Sequence, residues 1–588
     1  MTAGAQCPDG IPSGFELTKT GLFWLNGGKE KIERIRICDP LEVVARTRNE
    51  NGDDDHGRLL QFHTHAGRKQ RWAMPMELLS GEGREYRARL LALGLEMMAG
   101  PGARAGLTTY LHSCNPPDYV TAVSRIGWHG ARFVLPDRTF GDADGAETMI
   151  YQTAAPIDHA FRTSGTLKQW RDNVAAKCVG NSRLILGVSL AFAAPLLRLL
   201  REESGGVHIR GSSSMGKTTM LVVAGSVCGG GGPTGYIRTW RTTVNGLEAV
   251  AAAHSDSLLI LDEISQATSG RDIGEAAYLL ANGQGKSRAR RDGSARAPVT
   301  WQLLFLSSGE VSLATKIAED GRGHATAGQE VRVLDVIADA GAGLGLFEEL
   351  HGVSDGQTFS ELLKNAAATY YGTPLQEFLE RLVAEPNRHT EFAKATRDQF
   401  LGAINIESYD GQVQRAAGRF GLIGAAGELA TQLGKTGWEQ GTAFAAAAQC
   451  FYAWLLARGG KGPRELDIGI QKVRKFIEEH GTSRFATWND DPARPTNNRV
   501  GFRRRVDAAN SESPFEYFIL PEAFRSEVCK GSDATALAKE MVGRGMLRPS
   551  NDGKHFARLE RIPALGGEPM RIYCVTSTIF EAGENDEN

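Results

Sequence analysis

Apolar and polar positions fall into four successive patterns along the chain. From 14 to 160, short runs rich in β-branched and aromatic residues (GFELTKTGLFWL, KIERIRICDPLEVVART, GRLLQFHTHA, ARFVLP) are parted by turn formers such as Asn51-Gly52 and Gly81. That alternation predicts a β-rich domain, with the acidic stretch 53–55 as a hairpin tip. Within it, 84–98 has helical spacing. From 164 a Ser164/Thr166 start leads into an apolar face of Leu167, Trp170 and Val174, then the apolar run 184–200. From 205 to 340 strand-like and helix-like patterns alternate, which predicts a parallel sheet with crossover helices. Residues 355–458 are Ala- and Leu-rich and read as helical. Gly459-Gly460-Lys461-Gly462-Pro463 reads as a linker. Beyond it, 464–580 gives a helix at 466–480, a basic stretch at 499–505, a helix at 533–545 and strand-like runs at 555–562 and 570–576. The expected parts are therefore a β-rich domain (14–160), an α/β core with leading helices (164–350), a helical segment (355–458) and a winged-helix-like domain (464–580).

Composition narrows the function classes. The chain has 588 residues, more than one core usually serves. Apolar residues make up 41% and charged residues 23%, as in ordinary globular proteins. The net charge is −2, so nucleic-acid binding would need local basic patches. Cys7, Cys38, Cys114, Cys178, Cys228, Cys450, Cys529 and Cys574 include no CxxC pair and no His cluster. Zinc and disulfide frameworks are not expected, and a reducing cytoplasm fits. The start MTAGAQCPDG lacks a signal-peptide pattern. Ser189, Pro195 and Arg198 interrupt the apolar run 184–200, which reads as buried helix and not as a membrane span.

One constellation carries chemistry. A short strand at 206–210 runs into Gly211-Ser212-Ser213-Ser214-Met215-Gly216-Lys217-Thr218-Thr219 and then a helical pattern. This is GxxxxGK[ST] in its required strand–helix context. Consecutive backbone N–H groups at a helix N-terminus suit phosphate, Lys217 suits the β- and γ-phosphates, and Thr218 suits Mg²⁺. Downstream, an apolar strand ends in Asp262 and Glu263, at the crevice where parallel sheets bind ligands. Asp262 suits the Mg²⁺ shell, and Glu263 suits polarising the attacking water. A third strand ends in Ser307 and Ser308, where many related ATPases carry Asn; a polar tip there could contact the γ-phosphate or orient water. A fourth begins at Arg332, as a surface residue or as a finger reaching a neighbouring subunit. Between the second and third strands lies a cationic hairpin with Lys286, Arg288, Arg290, Arg291 and Arg296 and no aromatic residue. Such a hairpin suits phosphate backbones.

The segments GSSSMGKTT, NGLEAVAAAHSDSLLILDEIS, LLANGQGKSRARRDG, LLFLSSGE and AGQEVRVLDV together resemble a bacterial family catalogued as a domain of unknown function. Its members occur in phages, plasmids and integrated elements and carry helicase or primase-helicase labels. The resemblance spans 14–350 and, more loosely, RAAGRFGLIGAAGELA. Related members resemble AAA+ replicative helicases of the minichromosome-maintenance type. The resemblance implies a hexameric ring on DNA, ATP sites between subunits and a basic hairpin in the pore. Lys217, Thr218, Asp262 and Glu263 match that pattern, as do Lys286, Arg288, Arg290 and Arg291 in the hairpin. Arg332 lies where those helicases keep their finger. Arg415 or Arg419 is the candidate second nucleotide-sensing arginine. The Ser-Ser tip departs from the pattern.

The leading expectation is an ATP- and Mg²⁺-dependent DNA helicase for a mobile element. No primase constellation occurs in residues 1–160, so priming would fall to another protein. The alternatives are a remodeller of protein complexes, which the basic hairpin disfavours, and an ATP-switched DNA-binding protein, which Glu263 disfavours.

Overall fold

The computed structural model describes residues 11–28, 31–50, 54, 56–141, 148–152, 160–232, 235–241, 243–264, 270–286, 288–289, 295–296, 298–318, 332–458, 464–489, 496–530 and 532–581. The chain divides into two compact units, Met1–Ile406 with Arg415–Trp454, and Glu407–Gln414 with Leu455–Asn588. The expected linker at 459–463 and most of the acidic tip at 53–55 lie outside the described residues.

The first unit opens with three sheets. Phe15–Thr18, Gly21–Gly28 and Lys31–Cys38 form an antiparallel meander. A mixed sheet has the order Met149–Tyr151, Tyr119–Val123, Leu41–Arg48, Gly57–His63, Lys69–Pro75. A small antiparallel sheet holds Gly127–His129, Arg132–Val134 and Thr139–Phe140. The helix expected at 84–98 is shorter, Arg84–Ala92, because the chain turns at Gly94 with φ 90°. A second helix, Pro101–Ser113, was not expected from PGARAG. Its proline sits in the first turn, where a missing N–H costs nothing. Its Ala103, Leu107, Tyr110 and Leu111 are buried, a 3–4 spacing that sets one face on the core.

The helices that follow begin at Thr166, which caps Leu167–Trp170 in a capping box with Gln169. The apolar run is two helices, Ser182–Ala193 and Leu196–Leu200, broken at Pro195. Every residue of Ser182–Ala193 is buried, which explains why its sequence shows no polar face.

The core sheet is parallel, in the order Arg238–Thr239, Leu258–Asp262, Leu304–Gly309, Gly205–Arg210, Val333–Ile337. Its three central strands are buried almost throughout, as a sheet covered on both faces requires. Asp256, fully buried with φ 54°, ties this sheet to the N-terminal segment. It accepts hydrogen bonds from Arg125 Nη1 (3.0 Å), Trp128 N (3.1 Å) and Arg198 Nε (3.0 Å). Gly127 passes so close that a Cβ there would lie 2.2 Å from Asp256 Oδ2. Residues 355–458 give the helices Gly356–Thr369, Thr373–Ala384, Pro386–Ala403, Gly411–Gln432 and Thr442–Arg458.

The second unit carries helices Arg464–His480 and Ala534–Gly543 on a sheet ordered Phe485–Thr487, Gly501–Arg505, Phe515–Ile519, Pro569–Val575, Leu547–Arg548. Arg558–Arg561 pairs with Pro569–Val575. Most of the basic stretch 499–505 is strand: Arg504 lies over the rings of Trp488 and Phe518 at 4.7 and 4.8 Å.

Candidate nucleotide site

Parallel strands deliver their C-terminal ends to one edge, and the sheet order sets Leu304–Gly309 between the strands that end at Arg210 and Asp262. The loop 211–216 leaves the first of these and enters helix Lys217–Cys228. Ser214 and Gly216 have φ of 66° and 89°. Gly216 requires glycine twice over, since a Cβ would also meet Leu346 and the Phe347 ring at 3.2 and 3.3 Å. No side chain caps the helix, so its first N–H groups face the loop's mouth. Ser212, Ser213 and Ser214 are exposed. Lys217 is buried, and its ammonium donates to the carbonyls of Gly211 (2.6 Å) and Ser212 (2.7 Å). The cation therefore stands at the loop itself. Met215 lends its carbonyl to Leu346 N at 2.9 Å, which straps the segment after Val333–Ile337 against the loop.

Thr218 is exposed, with no hydrogen-bond partner among the described residues. Thr219 departs from expectation: it is fully buried, and its hydroxyl meets Ser360 Oγ at 2.5 Å. Its side chain holds the helix Gly356–Thr369 and does not line the loop.

The carboxylate corner is tightly built. Ser308 Oγ donates to Asp262 Oδ1 at 2.6 Å, and Glu263 N donates to Asp262 Oδ1 (3.0 Å) and Ser308 Oγ (3.2 Å). Asp262 Oδ2 takes no hydrogen bond among the described residues. One carboxylate oxygen is fixed and the other is open, which suits a metal ligand. Glu263 adopts φ 52°, an uncommon conformation for a non-glycine residue.

Ser307 points to the other face of its strand and does not join this corner. It is buried beside His208, its register partner. His208 Nε2 lies 3.0 Å from the Val311 carbonyl, which can only accept, so Nε2 carries the proton. Nδ1 then accepts from Ser307 Oγ (3.0 Å), which accepts from Trp240 Nε1 (2.9 Å). Burial pushes the His208 pKa down to about 4 and keeps the ring neutral. Ser307 is thus a core residue, and a phosphate-sensing or catalytic role for it is withdrawn.

The arginines lie at the opposite edge. Arg332 precedes Val333–Ile337 and is 3.6 Å from Glu203, which precedes Gly205–Arg210. Arg419 enters the same edge and donates to the carbonyls of Arg332 and Ser204. It fits only because residue 205 is glycine; a Cβ there would lie 1.4 Å from its Nη1. Arg415 is exposed one turn earlier on the same helix, Gly411–Gln432. Arg419 is not placed to sense a nucleotide of its own chain, because its contacts lie at the strand starts and the loop 211–216 follows the strand ends. The signal available in the sequence was the Gly205-Gly206 pair, since glycine in a strand marks close approach.

The cationic segment begins as a hairpin: Arg288–Ala289 pairs antiparallel with Ala295–Arg296, Arg288 opposite Arg296. Lys286 sits at its base, its N–H on Glu248 Oε1 (3.0 Å) and its ammonium 3.4 Å from Glu275. Arg290 and Arg291 lie outside the described residues.

Residues 15–300 match the family described as "Domain of unknown function (DUF927)". Among solved structures, the chain matches one described as "SCCmec type IV Cch - active helicase" with a TM-score of 0.67 at 17% identity. The match covers 97% of this chain and 99% of that one, so the two share a fold over nearly their whole length. The expected resemblance to a family catalogued as a domain of unknown function is matched by the first of these findings, and the second shows the shared fold. "The A form apo structure of NrS-1 C terminal region-CTR" matches at TM-score 0.25 and 10% identity, over 67% and 88% of the two chains, too slightly to bear on the fold. Among curated proteins, none matches the chain. No helix among the described residues is long and apolar enough to cross a membrane.

Proposed function

We propose that this chain is an ATP-dependent DNA helicase of the AAA+ type, working as a homo-oligomeric ring in the replication of a mobile genetic element. One observation carries the reading: the loop with Lys217 and the corner of Asp262 and Glu263 meet at one edge of a parallel sheet, on strands that flank the one bearing Ser308. The uncapped helix N-terminus, the exposed serines and Lys217 fit a triphosphate. Lys217 would give up the carbonyls of Gly211 and Ser212 for phosphate oxygens. Thr218 Oγ1 and Asp262 Oδ2 would hold Mg²⁺, which when bound neutralises phosphate charge. Glu263 takes the proton of the attacking water as general base.

Arg332 supports a ring. It stands the length of Val333–Ile337, roughly 17 Å at about 3.3 Å per residue, from the phosphate edge of its own sheet. A finger there serves a neighbour's nucleotide or none. The cations 286–296 lack aromatic and amide side chains, so they grip phosphate without reading bases. In the second unit, helix Arg464–His480, three strands, the helical turns 521–528, helix Ala534–Gly543 and then three strands follow in order, and the helix pair closed by paired strands supports a winged-helix-like DNA-binding or docking role. The fold shared with a structure described as an active helicase points the same way.

The test is unwinding of a forked duplex, with single-strand binding measured across a salt series. Replacing Lys286, Arg288, Arg290 and Arg291 by Ala should abolish unwinding and flatten the salt slope by up to ~0.7 per lost contact. Intact unwinding with an unchanged slope would contradict the assignment of this hairpin.

A further inference from the structure

We propose that Ser308 is a positioning residue: it aims Asp262 and the turn into Glu263, and it does not sense phosphate. This rests on the ATPase reading above. A serine hydroxyl has one proton, and that of Ser308 goes to Asp262 Oδ1 at 2.6 Å. Its oxygen accepts from Glu263 N at 3.2 Å, and Glu263 N also reaches Asp262 Oδ1 at 3.0 Å. The three atoms close a triangle at the strand end.

The triangle does two things. It fixes one oxygen of Asp262 and leaves Oδ2 open, so the direction of the open oxygen is set before a cation arrives. It also holds Glu263 at φ 52°, a left-handed conformation unfavourable for a residue with a Cβ, which persists only where neighbouring contacts over-determine it. Ser307 cannot substitute, because its hydroxyl is engaged with His208 and Trp240 on the other face.

Serine differs from asparagine at this tip in donor count. An amide has two N–H groups and can donate to a carboxylate while offering the second to a phosphate. Ser308 has nothing further to donate while Asp262 is ionised. The sheet tip of this chain therefore shapes the metal corner and leaves the reading of the γ-phosphate to other groups.

The experiment compares wild type, Ser308→Ala and Ser308→Thr in the full chain. Steady-state ATPase is followed across ATP and across Mg²⁺, with Mn²⁺ as a second ion, and ATP binding is read separately with a fluorescent analogue. Loss of the hydroxyl should lower kcat about 10–100-fold and raise the Mg²⁺ concentration for half-maximal rate, the scale seen when a metal ligand loses its supporting bond. KM for ATP should move less than kcat, and Ser308→Thr should restore both kcat and the Mg²⁺ midpoint. A Ser308→Ala protein with wild-type kcat and Mg²⁺ midpoint overturns the proposal. So does one that loses ATP affinity at an unmoved midpoint, which would show a direct phosphate contact. A wild type that hydrolyses no nucleoside triphosphate overturns the ATPase reading itself.

Discussion

Arg419 donates to the backbone carbonyl of Arg332, joining the helix Gly411–Gln432 to the edge of the sheet opposite the loop 211–216. Its second nitrogen reaches the Ser204 carbonyl at 3.3 Å. Three segments distant in sequence thus converge on one guanidinium. Arg419→Ala should destabilise the chain by about 2 kcal/mol, the scale of hydrogen bonds to a charged group lost together with packing. Gly205→Ala should act in the same direction, because it evicts the same guanidinium. Thermal unfolding with and without ATP checks this. A variant of normal stability that has lost ATP affinity would restore Arg419 to nucleotide sensing.

Arg332 is expected to act on a neighbour. The loop 211–216 of its own chain lies beyond the far end of the neighbouring strand, and Glu203 is its acidic partner within the chain. Arg332→Ala should lower turnover about 10³-fold or more, as for other fingers. Mixing it with inactive Lys217→Ala protein should restore part of the activity, because some interfaces then hold both residues intact. Mixed samples that stay inactive while subunits demonstrably exchange would remove the trans role.

The contiguous parts of the candidate site were legible in the sequence, because residues 211–217 are consecutive and Asp262 and Glu263 simply end an apolar strand. Ser307 and Ser308 were not separable. Alternation says that adjacent strand residues face opposite ways, but only the pairing of His208 with Ser307 shows which one enters the core. Thr219 was misplaced for a similar reason: its partner Ser360 is distant in sequence. Arg415 and Arg419 needed the angle of their helix against the sheet. The helix Pro101–Ser113 was hidden by glycine and proline, which punctuate most sequences but here sit in a first turn and on a packed face.

Acid should weaken the first unit through its buried imidazoles. Burial lowers the pKa of His208 and of His254 to about 4, from the ordinary value of 6.5. The unfolded chain therefore binds more protons than the folded one between those values. Their contribution is fully present above pH 6.5 and is lost as pH falls towards 4. His254 packs against Phe161 and Tyr236, and its Nε2 has no hydrogen-bond partner among the described residues. His254→Phe should therefore flatten the slope of melting temperature against pH over this range. An unchanged slope would place the titration elsewhere.

The central claim is that Lys217 and Glu263 work on one bound nucleotide in separable ways. The most direct measurement is ATP hydrolysis by wild type, Lys217→Ala and Glu263→Gln, with ATP binding followed in parallel and single-stranded DNA present or absent. Wild type should hydrolyse ATP faster with DNA. Lys217→Ala should lose both binding and turnover, because a phosphate-contacting cation is gone. Glu263→Gln should still bind ATP while turning over at least ~10²-fold more slowly, the scale of a lost general base. Near wild-type turnover in Glu263→Gln would contradict the account.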